Sequence, residues 1–317
     1  MKPTPKTILA VTVLAVALAG AAQATVIIET VPVGNAGNAA DTRYEMPGYG
    51  AVAYAYNIGK YPVTAGQYTA FLNAVAATDT YGLYNTSMWT DPYGCKIEQD
   101  GTPGSYTYSV ASDYANRPVT FVSWGDAARF ANWLQNDQPT GMQDGGTTET
   151  GAYTLNGAMT AAELTAVTRN ADWKWAITSE DEWHKAAYYN PATSIYYFYP
   201  TGSDTINISM ANYDWSVGHA TDVGTYADHA SPYGTFDQGG NVWEWNEAIV
   251  GMDRGMRGGS FSGIVRNLRA SSRSHYNPTL EFRNAGFRVT KVPEPGTVVL
   301  LALGAAGLLL RQRHYRE

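Results

Sequence analysis

The chain has 317 residues, 44% hydrophobic and only 15% charged, which is enough for one large domain or two modest ones with ample apolar surface for a core. Its 23 Tyr, 9 Trp and 32 Gly against 8 Phe exclude a helical bundle and describe a turn-rich fold that packs rings with a polar edge. The formal net charge is −7; the two terminal segments carry a net +3 between them, so the middle of the chain stands near −10, which excludes nucleic acid as an expected partner.

In chain order, Lys2 and Lys6 precede an uncharged run from Ile8 to Gly20, and Ala22-Gln23-Ala24 offers small residues where a signal peptidase reads. Residues 1–24 are therefore expected to be a secretory signal peptide. The rival reading, a membrane anchor, meets a run short of the about 20 residues that a span needs. Thr25–Asn57 alternates in short strands and turns. Thr64 is placed to cap a helix with Tyr68, Phe71, Leu72 and Val75 on one face. Thr78–Asn116 reads as an elaborated loop with short strands. Ser123 and Asp126 open a second helix with Ala127, Phe130, Ala131 and Leu134 buried. Gln135–Asp172 reads as an insertion with a short helix at Thr160–Val167. A third helix begins near Thr178 or Ser179, with Glu180, Asp181 and Glu182 facing the helix dipole and Trp183, Ala186 and Ala187 facing the core. Tyr188–Arg288 carries turns, aromatics and short strands. With no repeat and no linker, residues 25–292 are expected to form a single α+β domain.

The tail VPEPGTVVLLALGAAGLLLRQRHYRE sets a Pro-Glu-Pro turn before the uncharged stretch Thr297–Leu310 and then Arg311, Arg313 and Arg316, which orient the preceding domain outward. Residues 293–317 resemble the PEP-CTERM sorting signal of Gram-negative bacteria that make extracellular polysaccharide. The resemblance implies an exosortase as processing enzyme beside signal peptidase. It also implies a transient insertion of 297–310 in the inner membrane and a final place in the envelope or outside the cell. A plain C-terminal anchor is the alternative. The single cysteine, Cys95, cannot pair within the chain; it reads as an incidental loop thiol, with intermolecular pairing as the other option.

Familiar catalytic signatures are missing. There is no H-E-x-x-H, no phosphate-binding glycine loop and no paired-cysteine zinc site. Gly258-Gly259-Ser260-Phe261-Ser262 misses the nucleophile elbow because Ser262 stands where glycine is required. His184, His219, His229 and His275 are dispersed. In YGTFDQGGNVWEWNEA, Asn241 and Glu244 place oxygen ligands around Trp243 and Trp245, a pattern suited to calcium or, alternatively, to buried Trp packing and turn hydrogen bonds.

Seven stretches then fall in a telling order: Ile58–Thr64, Arg117–Trp124, Thr178–Trp183, Gly240–Trp245, Arg257–Phe261, Arg269–Ser274 and Gly286–Val289. Together they resemble the formylglycine-generating enzyme/sulfatase-modifying factor family over about Val31–Lys291. The resemblance implies a loop-rich fold related to C-type lectins with structural calcium. One ion would be held by backbone carbonyls at Gly240 and Val242 and by the side chains of Asn241 and Glu244. Asn212 and Tyr213 resemble the start of a second site, with Asp222 a candidate later ligand. In the oxidase branch, two cysteines after Gly-Gly-Ser bind copper(I), which needs soft thiolates. Here Gly263 and a position near Leu268 stand in their place, so neither copper nor that oxidase chemistry is expected. Branches that use iron carry a separate N-terminal helical domain, for which no room is expected here.

Seven of the 14 arginines lie within Arg254–Arg288. Guanidinium groups recognise carboxylates in pairs of bonds and stack on rings. Ser260, Arg266, Arg269, Arg273 and Trp243 are thus the candidate ligand-binding residues, for an acidic glycan or an exported peptide; internal pairing of the arginines is the competing explanation. The expected function is an exported, non-catalytic binding or structural component of the envelope or polysaccharide matrix. The alternative is an enzyme or accessory factor that modifies exported proteins by other chemistry.

Overall fold

The computed structural model describes residues 25–293, so the expected signal peptide and the 297–310 segment lie outside the described residues. Helix starts follow the sequence closely. Thr64 caps α1 (Ala65–Val75), Ser123 caps α3 (Trp124–Gln135), Thr160 caps α4 (Ala161–Ala166) and Ser179 caps α5 (Glu180–Tyr188). Each is a reciprocal capping box, in which the hydroxyl accepts from the third helical amide and that residue's side chain accepts from the cap amide. A one-turn helix, α2 (Ser87–Thr90), lies inside the stretch expected to be loop, where no side chain caps it.

Twelve short strands complete the domain. One sheet orders β1 (Thr30–Val33), β2 (Tyr56–Gly59), β12 (Val289–Lys291) and β5 (Trp175–Ile177), bringing both ends of the domain together. Two hairpins, β3–β4 (Ile97–Asp100, Thr107–Val110) and β6–β7 (Tyr189–Asn190, Ile195–Tyr196), stand apart from it. The sheet that positions the candidate loop orders β10 (Ser274–Tyr276), β9 (Asp253–Arg257), β8 (Trp243–Val250) and β11 (Ala285–Phe287). β9 pairs antiparallel with β8 and with β10, while β11 runs parallel to β8. Residues 258–273 are therefore the connection between β9 and β10, hung from a rigid sheet at both ends.

Tyr68, Phe71, Phe130, Trp133 and Phe287 form the centre of the core, with neighbouring ring centroids 5.2 to 6.1 Å apart. Burial of that ring cluster, not regular secondary structure, is what fixes α1 and α3 against β11. Cys95 joins the same core: it is buried, with Sγ 3.6 Å from the Thr120 carbonyl oxygen. Cys95 lies outside helix and strand, as expected of a loop thiol, but its burial speaks against the alternative of intermolecular pairing and pushes its pKa up, away from reactivity. Among the described residues no helix is long and apolar enough to cross a membrane.

Candidate functional site

The loop after β9 opens with two glycines in left-handed conformation, Gly258 at φ +101° and Gly259 at φ +75°. A Cβ at Gly258 would stand 2.7 Å from the Gln238 carbonyl oxygen, and one at Gly259 would stand 2.9 Å from Leu268 Cδ1. Only glycine lets the chain turn here and lets the loop fold back on itself. Beyond the turn, the Asn284 amide donates to the hydroxyls of Ser260 and Ser262, each at 3.1 Å. The Asn284 carbonyl accepts from the Trp243 backbone N–H at 2.8 Å, so β8 sets the position of this clamp. Phe261 is fully buried between the two serines.

Ser260 is itself fully buried, and Trp243 is half-buried against the core. Of these two candidate ligand contacts, Ser260 is sealed off while Trp243 keeps part of its surface in water, and Ser262 is the hydroxyl nearer solvent. A Cβ at Gly263 would lie 3.1 Å from Asn267 Oδ1 and 3.3 Å from the Ser260 nitrogen, so the loop closes around a position without a side chain. Leu268 points inward and packs with Tyr199, Ala211 and Tyr213.

The seven arginines divide by partner. Arg288 and Glu244 form a pair with no exposure, and Arg257 and Arg273 share Glu180 at 2.8 Å. Arg257 also donates to the carbonyls of Ala270 and Ser272 at 2.9 and 2.8 Å, which pins the end of the loop. Arg254 has no carboxylate partner; it donates to the Glu247 and Leu164 carbonyls at 2.8 Å each and stacks on Trp124 at 3.8 Å. Arg283 lies 3.5 Å from Asp91 and 5.4 Å from the Tyr93 ring centroid. Internal pairing thus accounts for Arg257, Arg273 and Arg288, whereas Arg283 keeps one longer contact and half of its surface in water; Arg273, a candidate ligand contact, serves here as a counter-ion of Glu180.

Arg266 and Arg269 remain. Both are exposed and neither pairs with a carboxylate among the described residues. Arg269 Nε donates to the Tyr199 hydroxyl at 2.9 Å, and that bond raises the guanidinium pKa. The Ala270 amide donates to the Phe198 carbonyl at 2.9 Å, joining the loop to the 195–200 segment. There Arg43 lies over the rings of Tyr44 and Phe198, at 5.1 and 4.9 Å from their centroids, and both rings are exposed. Asp41 holds Arg43 through two bonds of 2.8 Å. Burial alone would raise the Asp41 carboxyl, yet the hydrogen bonds from Arg43 and His184 carry it well below the ordinary range.

The result is a surface on which the exposed Arg266 and Arg269 stand with Arg43 and the exposed rings of Phe198 and Tyr44, while the buried Tyr199 supports Arg269 from beneath through its hydroxyl. Sequence reading found the first two and missed the rest. The run Tyr196-Tyr197-Phe198-Tyr199 was a visible signal, but only tertiary contact sets it beside Arg269. A groove of 490 Å³ elsewhere, lined by Ile27, Tyr61, Gln67 and Asn116 among others, includes none of the loop's residues.

The side-chain oxygens expected to bind calcium are engaged by protein groups in this structure. Glu244 Oε2 accepts from Arg288 Nε and Trp183 Nε1 at 2.5 and 2.6 Å, while Oε1 accepts from Arg288 Nη2 at 2.6 Å. Asn241 Oδ1 accepts from the Thr221 amide at 2.9 Å, and Asn241 Nδ2 donates to the Thr221 carbonyl at 3.2 Å. Calcium takes six to eight oxygens, and the side-chain oxygens of Glu244 and Asn241 already accept protein hydrogen bonds. The Gly240–Glu244 turn, with Val242 buried inside it, is held by protein bonds instead. Asn212 and Tyr213 pack beside it, where Asn212 Oδ1 is buried without a partner and the Asn212 carbonyl accepts from the Asn241 amide at 2.8 Å. Asp222 is exposed and lies 3.9 Å from Arg117. Among the described residues no group of three or more His, Cys, Asp or Glu could hold a metal ion.

A loop-rich α+β domain with twisted short strands, capped helices and a clamped Gly-Gly-Ser loop defines a C-type-lectin-like class of protein. A family model described as sulfatase-modifying factor enzyme 1-like domain matches residues 18–292, and a PEP-CTERM protein-sorting motif matches residues 291–313. The chain belongs to the sulfatase-modifying factor family and carries a sorting motif that implies export to the envelope or surface. It is 24% identical over 280 residues to the hercynine oxygenase of Mycolicibacterium thermoresistibile, across 77% of this chain and 52% of that protein. A likeness of 24% over 276 residues, across 80% of this chain and 36% of the other, links it to serine/threonine-protein kinase pkn1 of Chlamydia pneumoniae. The chain thus spans about half the length of the hercynine oxygenase it matches. Among solved structures, CarF superposes with a TM-score of 0.55 at 21% identity, covering 84% of this chain and 99% of its own. Treponema denticola variable protein 1 gives a TM-score of 0.53 at 18% identity, covering 83% and 95%. At these identities the two structures establish the fold alone.

Proposed function

We propose that this chain is an exported binding protein whose Arg266–Arg269 surface, continued by Tyr199, Phe198, Arg43 and Tyr44, holds an acidic glycan of the envelope or extracellular matrix. The observation that carries the reading is the pair of exposed arginines left without carboxylates in a domain near −10. In so acidic a domain a guanidinium normally finds a close internal partner, as Arg257, Arg273 and Arg288 do here. Leaving two unpaired beside exposed rings suits a ligand that brings its own carboxylates and an apolar ring face. Cleavage of a signal peptide after Ala24, and exosortase processing after transient insertion of 297–310, would deliver the domain to that ligand.

The test is retention of the protein on immobilised alginate. Retention should fall with added salt, because the screening length shrinks from about 10 Å at 0.1 M to about 3 Å at 1 M. Arg269→Ala or Arg266→Ala should elute earlier than the wild type. Co-elution of both variants with the wild type would remove the surface from consideration. A catalytic alternative, modification of exported proteins by chemistry other than copper-dependent oxidation, draws on the relatives named hercynine oxygenase. Turnover of an exported peptide by the purified protein, lost on Ser262→Ala, would favour it.

A further inference from the structure

The same loop supports another ring that neither the family resemblance nor the arginine surface uses. Asp214 and Trp215 both adopt φ +55°, a left-handed doublet rare for bulky residues. The doublet is fastened to the loop: the Asp214 amide donates to the Gly263 carbonyl at 2.7 Å and the Trp215 amide to the Phe261 carbonyl at 2.8 Å. Beneath the indole stand Phe261, edge-on at 5.2 Å and 84°, and Tyr93 at 5.4 Å and 66°. Despite this support Trp215 is 47% exposed. Two backbone hydrogen bonds thus hold this indole in a left-handed segment with about half of its surface open to a ligand.

Two polar groups flank the same ring cluster. Ser262 follows Phe261 directly, half-buried under the Asn284 clamp. Arg283 lies over Tyr93, 49% exposed, with a single 3.5 Å contact to Asp91 that leaves most of its donors free. A half-exposed indole, a hydroxyl and a guanidinium offer the kinds of contact that one uronic acid residue can make: to its C–H side, to a ring hydroxyl and to its carboxylate.

We infer that Trp215, Ser262 and Arg283 form a saccharide subsite that takes one uronic acid residue, with its C–H face on the indole and its carboxylate on Arg283. The inference rests on the acidic-glycan reading above and extends it to a second contact along the same polymer. The half-exposed indole suits a pyranose, whose C–H face loses apolar area to water when it lies on a ring.

The test is calorimetric titration of the purified protein with an oligomannuronate and, as neutral comparator, a manno-oligosaccharide. Trp215→Ala is expected to weaken the acidic oligomer by about tenfold with an unchanged salt dependence, and Trp215→Phe to recover most of that loss. Arg283→Gln should weaken the acidic oligomer and leave the neutral one untouched. Thermal melts of the variants matching the wild type exclude misfolding as the cause. Equal affinity for Trp215→Ala, with Arg269→Ala still weaker, overturns the subsite and leaves the arginine surface standing. Loss with Trp215→Ala but none with Arg269→Ala supports the subsite and overturns the arginine surface. Binding of neither oligomer by the wild type overturns both.

Discussion

Glu281 illustrates how a single residue near the site responds to its surroundings. Burial, and then the negative charges of Asp126 and Asp79, push its carboxyl up from 4.5 to about 8, against the opposing hydrogen bond from Asn85. The folded state therefore keeps a proton that the unfolded chain has released, so this group's contribution to stability falls as pH rises from 4.5 toward 8. Glu281→Gln removes the titration. The melting temperatures of variant and wild type should differ least near pH 4.5 and diverge in the variant's favour toward pH 8. A difference constant with pH would refute the assignment. His184 works in the opposite sense: burial lowers it to about 4, the unfolded chain binds the extra proton first, and its contribution is lost as pH falls from 6.5 toward 4. Between them the two residues press on the fold from both sides of neutrality.

At the scale of elements, the site depends on how β8, β9 and β11 meet. The register sets Glu244 opposite Arg257 on one side and Gly286 on the other, with Arg288 two residues further along the chain. Gly258 is where β9 leaves this sheet, and its Cβ space is filled by the Gln238 carbonyl and, at 3.2 Å, by Trp183 Cζ2. Gly258→Ala should cost about 2 kcal/mol or more, since the left-handed backbone and the close carbonyl oppose it together. Gly34→Ala, where nothing stands within 4 Å, is the matched control and should stay close to the wild type in denaturant unfolding. Comparable losses at the two positions would show that crowding is not what reserves Gly258. The Glu244–Arg288 pair makes a related point about calcium. Because Arg288 already neutralises Glu244, EDTA is expected to leave the melting temperature unchanged. A fall reversed by added calcium would overturn that expectation and direct attention to the orphaned Asn212 Oδ1.

Across the whole molecule, an acidic domain confines its free arginines to one loop and its neighbours. The salt-dependent retention proposed for Arg266 and Arg269 belongs to this scale, because it is the contrast with the surrounding negative charge that makes two guanidinium groups a locus for a polyanion. The elements themselves were legible in advance: Thr64, Ser123, Thr160 and Ser179 each announce a helix by local chemistry, since a capping box needs only four consecutive residues. So were the α+β class, the family and the sorting motif, which composition and the order of the stretches carry directly. Partnership was not legible. Nothing within a few residues of Arg273 or Glu244 says that Glu180 or Arg288 will take its charge, nor that Ser260 will be sealed beneath Asn284. Nor does local sequence place Phe198 beside Arg43 or lift Trp215 off Phe261, because those contacts join segments dozens of residues apart. Short-range hydrogen bonding and hydrophobic spacing act along the chain, and the sequence by itself therefore determined the four capped helices and the family. Burial and charge pairing act across the chain, and only the tertiary structure decided which arginines remain free.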